Sequence, residues 1–214
     1  MTRITVLGGT GYAGSAIVRE AAARGHEVTA FSRSAPADPV PGVTYRTGSA
    51  LDEESLASVI DGVQAVVVAL APRGELEHVF AQAVDRIGAL ARAAGARLGV
   101  IGGAGTLLAA PDGPKVYETA DFPAAYVSDS RAADEALGVL RGSTQDLDWF
   151  VVSPPLGFGS WAPGTATGVF RLGGDVLLTD DEGRSEISGA DLATAVVDEL
   201  DSPTHRRSRF TAAY

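Results

Sequence analysis

The segment Arg3–Gly14 reads RITVLGGTGYAG, a short apolar strand followed by closely spaced glycines and then by an alanine-rich stretch. The glycine motif is GxxGxxG if it begins at Gly8 and GxGxxG if it begins at Gly9. In either spacing one glycine makes a tight turn, the next lets the backbone approach a pyrophosphate, and the last lets a helix pack on the strand. The unpaired N–H groups at the start of that helix attract phosphate. The sequence therefore predicts a dinucleotide-binding turn made of Gly8, Thr10, Gly11, Tyr12, Ala13 and Gly14.

The end of the second predicted strand distinguishes the two nicotinamide cofactors. An acidic residue there binds the ribose hydroxyls of NAD, whereas an arginine accommodates the 2′-phosphate of NADP. The stretch Thr29–Ser34 reads TAFSRS and contains no carboxylate. Arg33 and the hydroxyls beside it favour a phosphate. We therefore predict NADP(H), with NAD(H) as the alternative if Arg33 is only a solvated surface residue.

Strand and helix patterns alternate over roughly the first 150 residues, which is typical of βαβ units. Strands are predicted at 3–7, 27–31, 43–47, 64–70, 98–102 and 147–153. Asp52 is expected to cap one helix, Ser128 to open another, and Ser188–Asp191 to form a capping box before the last one. The predicted fold is α/β: a Rossmann-like, doubly wound parallel sheet with helices on both faces and a small C-terminal substrate lobe.

Composition restricts the classes of function. The chain has 214 residues, a formal net charge of −10 and no cysteine. We predict a single NAD(P)-binding domain over 1–214, no nucleic-acid partner, and no disulfide or thiolate chemistry. His26, His78 and His205 lack metal-ligand spacing, so no metal is predicted.

No apolar run reaches membrane-spanning length, and the N-terminus leads directly into a strand. We therefore expect a cytoplasmic protein without a membrane partner, acting on a small molecule. The apolar stripe over 75–94 suits the sheet packing of a monomer or the interface of a homodimer equally well.

Two long stretches rich in glycine and proline, 103–126 and 154–174, follow predicted strand ends. In an open α/β sheet the ligand binds outside the carboxyl ends of the strands, so these loops should border the site. We assign 154–186 as a substrate-side loop region within the domain. Its aromatic residues would form either the wall of a substrate pocket or a small satellite core: Phe158, Trp161 and Phe170.

The glycine run Gly8–Gly14 resembles the opening of the short-chain dehydrogenase/reductase superfamily, of which the chain looks like an atypical member. Val100–Leu107 (VIGGAGTL) and three closing segments resemble a narrower set, the small NAD(P)H-binding proteins described as NADH-flavin reductases. The closing segments are RLGGD at 171–175, ISGADLA at 187–193 and RFT at 209–211. More distantly, the chain is similar to biliverdin reductase B and to NmrA-like cofactor-sensing regulators.

The resemblance implies further cofactor contacts at three strand ends. The segment after the fourth strand would line the nicotinamide ribose, Gly103 to Thr106 would border the nicotinamide, and the segment after the sixth strand would form another wall. The residues concerned are Ala69, Leu70, Ala71 and Pro72, then Gly103, then Ser153, Pro154 and Pro155.

The third strand departs from the family pattern. Many relatives carry Gly-Asp there to contact the adenine, whereas this chain has Gly48-Ser49. Leu51 and Asp52 are the alternatives for that contact.

The superfamily's usual catalyst is a Tyr-x-x-x-Lys pair, in which the lysine lowers the tyrosine pKa and the phenol transfers a proton to the substrate oxygen. The only lysine is Lys115, and Pro111 stands four residues before it. Tyr126 has Ser130 at the lysine position. Weak candidates for an acid or orienting group remain: Tyr117, Tyr126, Ser153 and Thr106.

Without a dedicated acid, the acceptor should be one that needs little help with protonation. We predict an NADPH-dependent oxidoreductase that passes hydride to a diffusible flavin, quinone or similar planar conjugated acceptor, with flavin a substrate and not a bound group. One alternative is a non-catalytic NADP(H) sensor. Another is a biosynthetic reductase, epimerase or dehydratase with a replacement acid such as Tyr117 or Asp121.

Overall fold

The computed structural model describes all 214 residues. Its strands are β1 (Arg3–Leu7), β2 (Glu27–Ser32), β3 (Thr44–Thr47), β4 (Ala65–Val68), β5 (Arg97–Ile101), β6 (Trp149–Ser153), β7 (Arg171–Gly173) and β8 (Ser208–Ala213). Its helices are α1 (Tyr12–Ala23), α2 (Glu53–Ile60), α3 (Phe80–Ala93), α4 (Val127–Gly142) and α5 (Gly189–Asp201).

The strands form one sheet in the order β3-β2-β1-β4-β5-β6-β8-β7. Every pair is parallel except β7 with β8. The chain moves outward from β1 through β2 to β3 and then crosses back to β4, so the connections diverge between β1 and β4. This confirms the predicted doubly wound α/β fold and places a ligand crevice at the carboxyl ends of those two strands.

Two apolar layers cover the sheet. One contains α2, α3 and α4, and the other contains α1 and α5. The strand β4 shows why its sequence is a continuous apolar run: Val66 and Val68 face the first layer, while Ala65 and Val67 face the second. Strands covered on both faces cannot alternate polar and apolar residues.

Two of the three predicted helix starts are confirmed. The prediction that Ser128 opens a helix is wrong, because α4 begins at Val127 after Tyr126, with no side chain capping it, and Ser128 lies inside its first turn. Asp52 caps α2 by accepting a hydrogen bond from the Glu54 N–H (3.3 Å). Ser188 caps α5 by accepting from the Asp191 N–H (3.0 Å). The reciprocal half of the predicted capping box is absent, because the Asp191 carboxylate binds residues of another loop.

The strands β7 and β8 were not predicted. Residues 208–213 read SRFTAA, which lacks the β-branched run of the central strands. Burial decides the structure instead: Phe210 and Ala212 pack into the core beside β6, and β7 extends the sheet at its edge. The C-terminal segment therefore completes the sheet, and the loop between β6 and β7 forms the part that overhangs the crevice.

None of the five helices is both long and apolar enough to cross a lipid bilayer.

A buried ion pair fixes the end of the sheet opposite the crevice. The Arg97 guanidinium lies 2.6 Å from the Glu199 carboxylate, and the two side chains are 9% and 3% exposed. Burial alone would raise the pKa of Glu199, but hydrogen bonds from Arg97 and from His205 lower it to about 2. Glu199 thus joins α5 to β5 and to the segment leading into β8.

We expect Glu199→Gln to lower the free energy of unfolding by about 3 kcal/mol at pH 7, because Arg97 loses its buried counter-ion. The folded-state pKa lies below the usual 4.5. The stabilisation is therefore complete above that pH and is lost as the pH falls toward 2. Urea denaturation from pH 7 to pH 3 should show wild type and variant converging in acid. Glu135→Gln, an exposed control on α4, should change stability by less than about 0.5 kcal/mol. A pH-independent difference would contradict this assignment.

Candidate dinucleotide-binding site

The glycines after β1 allow α1 to pack directly on the turn. A Cβ atom at Gly14 would lie 2.1 Å from the Gly8 carbonyl oxygen, and one at Gly8 would lie 2.4 Å from the Ala69 carbonyl oxygen. Gly8 also has a φ of +84°, in the left-handed region that favours glycine. A Cβ atom at Gly9 would lie 2.7 Å from the Ala30 Cβ. The turn therefore requires small residues on all sides.

The first turn of α1 presents unpaired backbone donors. Gly11 precedes the helix and has no side chain to cap it, and the first turn contains no acidic residue. The N–H groups of Tyr12 and Ala13 have no acceptor within the protein. Unpaired N–H groups and the positive end of the helix dipole suit a diphosphate. The glycine turn thus fits the phosphates of a dinucleotide.

A cavity of about 830 Å³ extends from this turn along the carboxyl ends of the parallel strands. Most of the predicted cofactor residues line it: Gly8, Thr10, Gly11, Tyr12, Ala13, Arg33, Ala69, Leu70, Ala71, Gly103 and Pro154. Gly14 lies behind the wall, where it packs against Gly8 and Gly9. The role of these residues in cofactor binding stays a prediction.

The end of the cavity beside β2 is lined by Arg33, Ser34, Gly48 and Ala50. A Cβ atom at Gly48 would lie 2.7 Å from the Phe31 ring, so the absence of a side chain keeps β2 and β3 close. Neither alternative for the missing adenine contact reaches this wall. Leu51 points to solvent, and Asp52 is held by its capping role on α2.

Glu75 also lines this end, although sequence reasoning did not identify it. Its carboxylate lies 3.9 Å from the Arg33 guanidinium and accepts a hydrogen bond of 3.4 Å from the Ser49 hydroxyl. Glu75 is remote from β2 in sequence, in a one-turn 3-10 helix before α3. No spacing rule linked it to Arg33, because only the fold brings the two loops together.

The other end of the cavity is largely apolar and lies under the loop that follows β6. Phe158 and Trp161 line it, and their predicted role as the wall of a substrate pocket stays a prediction. Phe158 packs edge-on against the Tyr12 ring at 5.1 Å between centroids. The Tyr12 hydroxyl donates to the Pro163 carbonyl (3.0 Å) and accepts from the Gly189 N–H (3.1 Å). Tyr12 therefore joins the phosphate turn to the overhanging loop.

The Asp191 carboxylate holds the far side of the same loop. It accepts hydrogen bonds from the N–H groups of Thr167 (2.8 Å) and Gly168 (3.1 Å) and from the Tyr214 hydroxyl (2.6 Å). Burial acts to raise the pKa of Asp191, but these bonds outweigh it and lower the pKa below its usual value. Burial and the bond to this carboxylate raise the pKa of Tyr214.

Three predicted pocket residues lie outside the cavity wall. Thr106 is buried, where its hydroxyl donates to the Gly103 carbonyl and accepts from Arg209. Ser153 is fully buried within the sheet, next to Gly102. Phe170 packs against the core layer beneath the loop. Thr106 and Ser153 thus follow the strand ends in sequence, but their side chains point inward.

The candidate acids are also separated by the structure. Tyr117 lies outside the wall, 3.4 Å from Asp134, which also binds Lys115. Asp121 is an exposed residue that does not line the cavity. Tyr126 does line it and packs against the Arg73 guanidinium, 5.6 Å from the ring centre.

Ser130, one helical turn after Tyr126, is a second cavity residue that sequence reasoning left without a role. The residue is 6% exposed and lines the cavity, its hydroxyl forms no hydrogen bond within the protein, and a Cβ atom at Gly105 would lie 2.2 Å from that hydroxyl oxygen. A serine inside a helix often donates to a preceding carbonyl. The Ser130 hydroxyl is therefore available to a ligand. The only feature of the sequence that could have drawn attention to Ser130 is its position four residues after Tyr126.

A glycine turn, a helix N-terminus and a crevice at the strand switch point together define a dinucleotide-binding protein with a Rossmann-like fold. Residues 8–203 match the model of the NAD(P)H-binding family, and the chain belongs to that family. It is 35% identical over 211 residues to the protein YwnB of Bacillus subtilis, covering 98% of this chain and 97% of that protein.

Two solved structures are similar over the whole chain. A "putative exported protein" of Burkholderia pseudomallei is 38% identical with a TM-score of 0.87, covering 100% of both chains. A "putative NADH-flavin reductase" of Streptococcus pneumoniae is 30% identical with a TM-score of 0.88, covering 100% of this chain and 99% of that one.

We expect Gly14→Ala to weaken NADPH binding by about tenfold or more, equivalent to about 1.4 kcal/mol, because the new Cβ forces α1 away from the turn. Titration of NADPH fluorescence measures the affinity, and circular dichroism checks that the variant is folded. Gly138→Ala is the matched control, since nothing lies within 4 Å of a Cβ placed there in α4. It should bind NADPH normally. Equal affinity in both variants would refute the role of close packing.

Proposed function

We propose that this protein is an NADPH-dependent oxidoreductase that passes hydride to a diffusible planar conjugated acceptor, a flavin or a quinone. One observation carries the proposal: a single cavity joins the glycine turn to an apolar chamber walled by Phe158 and Trp161. The similarity to the S. pneumoniae protein supports the same class of acceptor.

The chamber contains little acid-base machinery. The only lysine binds Asp134 outside the cavity, so it is not available to activate a tyrosine in the wall. A bound nicotinamide supplies a hydride, and a conjugated ring delocalises the charge that arrives with it. The protein then has to bind both rings in contact and exclude water. Phe158, Trp161 and Leu156 provide such a surface, and the free Ser130 hydroxyl can orient an acceptor carbonyl.

The overhanging loop is held in place before any acceptor binds. Tyr12 and Asp191 attach it at two points to elements of the main fold. A preorganised wall lowers the entropy cost of positioning a flat acceptor. This supports direct transfer between two stacked ligands over a mechanism that needs a large closing movement.

Arg33 supports NADPH as the preferred donor. Its side chain is 74% exposed at the β2 end of the cavity, and its nearest charged partner is 3.9 Å away. The guanidinium is thus free to bind a 2′-phosphate through two parallel hydrogen bonds.

We expect Arg33→Ala to weaken NADPH binding by about tenfold or more while changing NADH binding by less than about threefold, since only NADPH loses a charged hydrogen-bond partner. Dissociation constants for both cofactors, measured by fluorescence titration at one ionic strength, provide the comparison. Equal losses would contradict the assignment of Arg33 to the 2′-phosphate.

The reductase proposal is tested by following the loss of NADPH absorbance with riboflavin, FMN and quinones as acceptors, against controls without protein. Saturable turnover that depends on the acceptor supports the proposal. Tight NADPH binding without turnover would reject it in favour of the NADP(H) sensor.

We also expect Trp161→Ala to raise the acceptor KM about fivefold, through loss of an aromatic contact of about 1 kcal/mol, without changing NADPH affinity. Val169→Ala, 77% exposed in the same loop and outside the cavity, is the control.

A further inference from the structure

The cavity wall contains two carboxylates, and only one of them has a close partner. Asp129 lies 2.5 Å from the Arg73 guanidinium, so its charge is paired. Glu75 has only long contacts, to Arg33 at 3.9 Å and to Ser49 at 3.4 Å. Its carboxylate is therefore available to a ligand at the end of the cavity beside β2.

The side chain of Glu75 is exposed, but packing and hydrogen bonds of the neighbouring residues hold its backbone in place. Leu76 is 5% exposed and packs into the core layer below α3. Gly74 has a φ of +61°, so the turn has a conformation that other residues rarely adopt. The Leu76 N–H donates to the Arg73 carbonyl (3.2 Å), which closes the turn. Glu75 is thus held at the cavity wall by its neighbours on both sides.

We propose that Glu75 is the carboxylate that recognises the ribose hydroxyls of the adenosine half, and that it acts against Arg33 to limit the preference for NADP(H) over NAD(H). A carboxylate accepts hydrogen bonds from two neighbouring hydroxyls, which NAD(H) offers and NADP(H) lacks. The 2′-phosphate of NADP(H) pairs with Arg33 but approaches the negative charge of Glu75. The acidic group missing from the end of β2 is thus supplied by the loop before α3.

The proposal rests on the nucleotide site and is independent of the acceptor. Dissociation constants for NADPH and NADH, measured by fluorescence titration, test it without any turnover. If these constants behave as expected while no acceptor is reduced, the reductase proposal fails and this one stands.

The variant Glu75→Gln keeps the size of the side chain and removes its charge. NADH should bind about tenfold more weakly, because hydrogen bonds to a charged acceptor are replaced by weaker ones. NADPH should bind about threefold more tightly, because a repulsion between exposed charges is removed. The ratio of the two affinities then shifts about 30-fold toward NADPH, as the product of these two changes.

The control is Glu77→Gln, which removes the same charge two residues away from an exposed side chain that does not line the cavity. It should leave the ratio unchanged. The double variant Arg33→Ala with Glu75→Gln should bind both cofactors with similar affinity. An equal change in NADH and NADPH binding in Glu75→Gln, or the same ratio shift in Glu77→Gln, would overturn the proposal. So would failure of the wild-type protein to bind either cofactor.

Discussion

The approach of α1 to the turn after β1 is the constraint on which the rest of the site depends. A single Cβ at Gly14 would overlap the Gly8 carbonyl oxygen at 2.1 Å. Because this contact is so close, the free N–H groups of α1 point into the crevice between β1 and β4. Tyr12, the first residue of the helix, is thereby placed where its ring meets Phe158 and its hydroxyl meets the overhanging loop. The phosphate turn and the apolar chamber are therefore positioned by one packing contact.

The parts of the protein that were predictable are those governed by local sequence. Six strands could be predicted, the central β4 and β5 from their continuous apolar runs, and Asp52 and Ser188 predicted two helix starts. A strand covered on both faces and a capped helix each need characteristic residues in sequence. The strand β8 was missed because its six residues lack that pattern, and its burial comes from β6 and α5. For the same reason the inward direction of Ser153 was not predictable: it depends on register within the sheet.

The residues of the site divide in the same way, into those that neighbouring sequence predicts and those that only the fold brings together. The glycine turn and Arg33 could be singled out from the sequence alone. A dinucleotide-binding βαβ unit needs glycines after its first strand, and the residue type at the end of its second strand depends on the cofactor. Glu75 and Ser130 acquire meaning only from residues that the fold brings near them, Arg33 in one case and Gly105 in the other. Asp191 is similar, because the sequence indicated a cap whereas its carboxylate holds a loop about 23 residues earlier in the chain.

The charge distribution explains how an acidic protein can bind an anionic dinucleotide. The chain carries a formal charge of −10, which would repel such a ligand at long range. At physiological ionic strength, however, exposed charges are screened beyond about 8 Å. Within that distance a ligand in the cavity meets the N-terminus of α1 and two arginines, Arg33 and Arg73, balanced by Glu75 and Asp129. Because Asp129 is neutralised by Arg73 at 2.5 Å, the remaining balance between attraction and repulsion depends on Arg33 and Glu75. We therefore propose that local geometry, and not net charge, controls which nucleotide the crevice favours.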